Sequence, residues 1–143
     1  TIELFSIDFY NAIYLGMPLG FLTTNILYIN QFPDANSDAK TGKNHLVVTL
    51  GKKIARWVYL IILLAAFGSS YLLLDTFNSS IDNFYSNVYL IGTGILFIYG
   101  FYIFTRLFKL YDSRELINSN LNTIYLQIFF GLFYALILNN FFI

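Results

Sequence analysis

Two aspartates four positions apart, Asp34 and Asp38, are the residues of this chain best placed to do chemistry. On a helical segment that spacing stacks both carboxylates on one face, and Asn30 stands one further turn back on the same side. Like charges so spaced repel by up to about 0.5 kcal/mol on an exposed helix, and by more where water is excluded, so a balancing cation is expected. Hard oxygen donors with no intervening His or Cys suit Mg2+, which binds through one or two carboxylates, keeps waters and completes its shell with substrate phosphate. Lys40 and Lys43 are near enough to meet those phosphate oxygens directly. The alternative is a solvated helix face in which Asp34 and Asp38 pair with Lys40 or Lys43. Location favours function: the pair sits at the mouth of an apolar segment, where ionisable groups tend to be functional.

The elements that must hold these residues belong to a membrane. Of 143 residues, 57% are hydrophobic, 20% aromatic and only 11% charged, against roughly 25% charged in a soluble domain. Charge-free runs extend over 9–33, 57–74, 83–105 and 116–143, each near or above the ~18 to 20 residues that cross about 30 Å of hydrocarbon. Continuous apolar runs of this length suit helices better than the short alternating strands of a membrane barrel. The expected class is an all-α integral membrane protein with four transmembrane helices.

Charge sets the orientation. Lys40, Lys43, Lys52, Lys53 and Arg56 lie between spans one and two, and Arg106, Lys109 and Arg114 between spans three and four. The segment Asp75 to Asp82 and both termini carry no Lys or Arg, so the positive-inside rule places both basic loops in the cytoplasm of a multi-pass inner or plasma membrane protein. Thr1 to Asp8 has no basic residue, and no targeting peptide is read there. Without cysteine there is no disulfide, thiolate metal site or cysteine nucleophile.

Local signals refine the spans. Ser6 suits the N-cap of span one, Pro18 a bend within it, and Pro33 its cytoplasmic exit. Gly42 suits a helix stop, and Leu46 to Leu50, too short to span, is expected to lie against the bundle. Gly92, Gly94 and Gly100 let span three approach its neighbours closely, and buried Asn25 is expected to bond an adjacent helix. Asn78-Ser79-Ser80 fits a glycosylation sequon, a pattern too common to weigh.

Asn30, Asp34, Asp38, Gly42, Lys43, Leu46, Val47, Val48, Leu50 and Gly51, spaced N-x3-D-x3-D-x3-GK-x2-LVV-x-LG, closely resemble the second aspartate-rich motif of the UbiA prenyltransferase superfamily. The wording NQFPD, GK and LVVTLG is most similar to the MenA-like branch, which prenylates 1,4-dihydroxy-2-naphthoate in menaquinone synthesis. The resemblance implies that Asp34 and Asp38 ligate Mg2+ carried by a polyprenyl diphosphate and act as the catalytic pair. It further implies that Asn30, Lys43 and Lys40 hold the diphosphate, and that an aromatic acceptor attacks the allylic cation inside an apolar bundle. His45 stands where relatives usually have Thr, and is read as a loop residue. An earlier N-x3-D-x3-D motif is absent and relatives are about twice as long, so residues 1–143 are expected to form the C-terminal part of such a domain, partnered by the missing N-terminal half and inactive alone. Arg106, Lys109 and Arg114 read as topological anchors. Partners then comprise the diphosphate, the acceptor and the lipid bilayer, with no nucleic acid. The rival readings are another acceptor (a hydroxybenzoate, homogentisate or chlorophyllide) or a small transporter subunit binding a cation at Asp34 and Asp38.

Overall fold

Long apolar runs leave the backbone no hydrogen-bond partner in hydrocarbon except itself, and helices are the local solution. The structure, a computed structural model, describes residues 7–77 and 83–139, with side chains placed over 9–73 and 83–139. Four long helices cross the bundle: α1 (Ile7–Ile29), α4 (Lys52–Phe77), α5 (Asn83–Leu110) and α6 (Leu116–Asn139). Two short ones, α2 (Gln31–Lys40) and α3 (Leu46–Leu50), fill the segment between α1 and α4. All four long helices are apolar and long enough to cross a bilayer, and no strand occurs among the described residues, so the protein is an all-α integral membrane protein. Ser6 and the Asn78-Ser79-Ser80 sequon lie outside the described residues.

Two helices overrun their apolar stretches. α4 begins at Lys52 and α5 continues past Thr105 to Leu110, because a helix need not stop where hydrocarbon does and basic end turns can anchor in the headgroup region. α1 runs unbroken through Pro18. The helices close a ring: α1 packs on α4 and α6, and α5 packs on the same two, with α1 making its most extensive interface with α4.

In lipid, helices associate through close packing and interhelical hydrogen bonds rather than through water exclusion. Tyr59 and Leu63 of α4, Ile103 and Leu107 of α5, and Leu126 and Phe130 of α6 are all fully buried where the helices meet. Gly100 admits the Leu63 and Leu126 side chains, and Gly92 lies beneath the Phe133 ring, whereas Gly94 has no neighbour where its side chain would be. Polar side chains stitch the same seams. Asn25 Nδ2 donates to the Tyr59 carbonyl at 3.2 Å, the Tyr28 hydroxyl to the Ala55 carbonyl at 2.7 Å, and Tyr59 meets Thr123 at 3.1 Å. Between α1 and α6 the bonds recur every seventh residue of α6: Asn120 to Asn30, Gln127 to Thr23, and Tyr134 to the Leu15 carbonyl.

All eight Lys and Arg residues lie at one end of this bundle. There the Arg56 guanidinium sits 3.7 Å from the centre of the Phe108 ring and donates to the Phe108 carbonyl at 2.9 Å, capping the end of α5 from the start of α4. Lys52 pairs with Asp112 of the α5–α6 turn at 2.8 Å. These contacts fix the platform from which α2 and α3 project.

Candidate functional site

The chain turns from α1 into α2 at Asn30, which keeps near-helical backbone angles but caps nothing with its side chain. That side chain accepts a hydrogen bond from Asn120 Nδ2 at 2.8 Å instead. Pro33 follows within the first turn of α2, where its missing N–H would have had no helical partner anyway. The ten-residue α2 presents three faces. Phe32 and Ala35 are buried in the bundle. Pro33 and Asn36, on another side, line a cleft of about 210 Å3 with Lys52, Tyr111, Asp112, Arg114 and Ile117. Asp34 and Asp38, one turn apart, point roughly opposite that cleft, since residues advance about 100° each around a helix.

The end of α2 explains the spacing from Asp38 to Lys43. Gly42 takes φ +77°, the Gly42 N–H bonds the Ala39 carbonyl at 3.4 Å, and the Lys43 N–H bonds the Asp38 carbonyl at 3.0 Å. This is the paired 5→2 and 6→1 pattern of a Schellman stop, in which glycine supplies the left-handed residue. Folding the chain back in this way returns Lys43 to the last turn of α2, and its ammonium lies 3.2 Å from Asp38 Oδ1. The Lys43 side chain remains 72% exposed while that of Asp38 is 19% exposed, so the pair is one anchored carboxylate and one free-standing cation.

His45 closes the other side of Asp38. It is the N-cap of α3, with Nδ1 accepting the Val48 N–H at 3.4 Å, and its Nε2 lies 3.3 Å from Asp38 Oδ2, a close approach whose angles fall short of a hydrogen bond. α3 itself is held by Val47, buried against the bundle, and ends at Gly51 with φ +73°.

The structure therefore brings Asp38, Lys43 and His45 together, sets exposed Asp34 one turn away on the same face, and engages Asn30 with α6. Lys40 is exposed at the last turn of α2 and makes no ion pair among the described residues. Asp38 and Lys43 do pair, as the solvated-face alternative supposed, and Asp34 does not. Among the described residues no three His, Asp or Glu side chains converge on one metal position. Exposed Asp34, together with Asp38 once Lys43 leaves its Oδ1, offers oxygens that fit a hard cation which keeps waters and takes phosphate oxygens, and the two do not make a cage that encloses a metal on their own.

His45 stands outside the helices, as the sequence reading had it, but that reading did not show its approach to Asp38 or the bond from Asn120 to Asn30. The N-cap position ahead of Leu-Val-Val offered a local signal for the His45 cap alone, since it marks where a side-chain acceptor faces the helix start. Nothing near Asn120 signalled its partner, 90 residues away.

A family model described as the UbiA prenyltransferase family matches residues 9–135. No curated protein and no solved structure matches the chain. The match takes in α2, α3 and most of the four long helices.

Proposed function

Because the chain belongs to the UbiA prenyltransferase family, we propose that it transfers a polyprenyl group from polyprenyl diphosphate to an aromatic acceptor, with 1,4-dihydroxy-2-naphthoate, the menaquinone precursor, as the favoured one. The observation that carries this reading is the Asp34 and Asp38 face at the end of an apolar helix, with Lys43 returned to it by the Gly42 stop. The acceptor rests on the likeness of NQFPD, GK and LVVTLG to the MenA-like branch. The site's place in the cytosol rests on the gathering of every Lys and Arg at its end of the bundle. The chain acts as the C-terminal part of its domain, completed by a segment that carries the first aspartate motif.

Asp34 and Asp38 are the residues that would hold Mg2+. When bound, the cation neutralises charge growing on the departing diphosphate. Lys43 exchanges the Asp38 carboxylate for a phosphate oxygen, a move its exposed side chain permits, and Lys40 meets the same group from the end of α2. Asn30, braced by Asn120, supports the site from the end of α1. The apolar bundle houses the isoprenoid and keeps water from the allylic cation.

The test is reconstitution in vesicles with the completing segment. Mg2+-dependent prenylation of 1,4-dihydroxy-2-naphthoate in preference to 4-hydroxybenzoate is expected, with losses on the order of 100-fold or more in Asp34→Ala and Asp38→Ala. Full activity in both variants would end the proposal, as would cation flux without diphosphate consumption.

A further inference from the structure

We infer that His45 is a positioning residue for Asp38: its imidazole holds one carboxylate oxygen so that the other is presented to the cation and diphosphate. The inference rests on the reading of Asp34 and Asp38 as metal ligands, and it assigns a role to a side chain that reading leaves out.

The cap fixes the ring. Because Nδ1 accepts the Val48 N–H, the hydrogen of the neutral imidazole sits on Nε2, and Nε2 is the atom 3.3 Å from Asp38 Oδ2. The ring is held in place by the cap and by the seating of α3 on the bundle through Val47, and the His45 side chain is only 20% exposed. Nε2 itself is buried and makes no hydrogen bond, so a small rotation of the Asp38 carboxylate gives it a partner it lacks.

The two oxygens of Asp38 thus have unequal neighbours. Oδ2 faces a ring locked by a helix cap, and Oδ1 faces an ammonium at the end of a long, solvated side chain. Oδ1 is the oxygen that can exchange Lys43 for another cation, and a bond from Nε2 to Oδ2, completed by that small rotation, then holds the carboxylate in place. Hydrogen bonds to ligating carboxylates orient metal ligands generally, and their loss costs about 10–100-fold in metal affinity. Capping alone does not require an imidazole, because Asn, Ser or Thr would accept the same N–H. What His45 adds is a donor on the far side of the ring, within reach of Asp38.

Two variants separate these roles. His45→Asn keeps a capping acceptor but is too short to reach Asp38. His45→Gln places an amide N–H near the Nε2 position at the expense of the cap. The chain, reconstituted in lipid nanodiscs with the completing segment, is titrated with Mn2+ in the presence of inorganic pyrophosphate, bound metal is read by electron paramagnetic resonance, and helix content by circular dichroism. His45→Asn is expected to bind Mn2+ about tenfold more weakly or worse with helix content unchanged, and His45→Gln to retain most of the affinity. Wild-type affinity in His45→Asn would overturn the positioning role alone, as would equal losses in both variants. Absence of Mn2+ binding by the wild-type chain would overturn the metal reading of Asp34 and Asp38, and the role of His45 with it.

Discussion

Asn120 of α6 donates a 2.8 Å hydrogen bond to the side chain of Asn30 at the junction of α1 and α2. The last helix of the chain thereby braces the first residue of the aspartate motif. The bond is the end rung of the α1–α6 series continued by Gln127 and Tyr134, so the position of α2 is tied to packing along the whole interface.

Removing either amide should loosen that brace. Asn30→Ala, Asn120→Leu and the double variant form a cycle whose coupling is expected at about 0.6 to 1.7 kcal/mol, the range of interhelical hydrogen bonds in membranes. Reversible unfolding in mixed micelles measures it, and a coupling near zero would show that the two side chains act separately.

Backbone geometry separates Gly51 from Gly68. Gly51 joins α3 to α4 at φ +73° and ψ +142°, a region almost closed to other residues, so Gly51→Ala should cost about 1–3 kcal/mol although nothing lies within 4 Å of the new methyl. Gly68, in the middle of α4 with equally open surroundings, should tolerate alanine or gain up to about 1 kcal/mol. Thermal unfolding of the two variants side by side makes the comparison.

Gly100→Ala should destabilise by about 1–3 kcal/mol, because the added carbon would lie 2.8 Å from Leu63 Cδ1 and 3.1 Å from Leu126 Cδ2. Gly94→Ala meets nothing and should be tolerated or raise stability by up to about 1 kcal/mol. Equal effects at the two positions would contradict the packing of α5 between α4 and α6.

Lys43→Gln should raise KM for polyprenyl diphosphate about tenfold or more, the worth of a lost charge-assisted hydrogen bond. Lys40→Gln should raise it less, because no chain reversal brings Lys40 onto the Asp38 carboxylate. Steady-state kinetics on the reconstituted enzyme decide, and a larger effect at Lys40 would reverse the assignment of roles.

Much of this architecture was legible in local patterns. Charge-free runs located the four long helices, the spacing of Asp34 and Asp38 placed them on one helix, and Gly42 marked where that helix stops. Each of these signals lies within a few residues of the feature it reports. What stayed hidden depends on the third dimension. Glycine content in α5 did not reveal that Gly100 and Gly92 meet side chains while Gly94 does not, because small residues permit close approach without choosing a partner. His45 is a loop residue as read, but its approach to Asp38 had no local signal, because the Schellman stop folds the chain back to bring the two together.

The broad contact of α1 with α4 bears on the order in which the protein is made. These two spans are consecutive among the long helices, and the entire Asp34-to-His45 segment lies between them. A ribosome that has just delivered α4 to the bilayer has therefore supplied the two long helices that flank the segment in sequence, before α5 or α6 exists. Synthesis of α5 and α6 then supplies the Asn120 brace and the Phe108 and Tyr111 rings that meet Arg56.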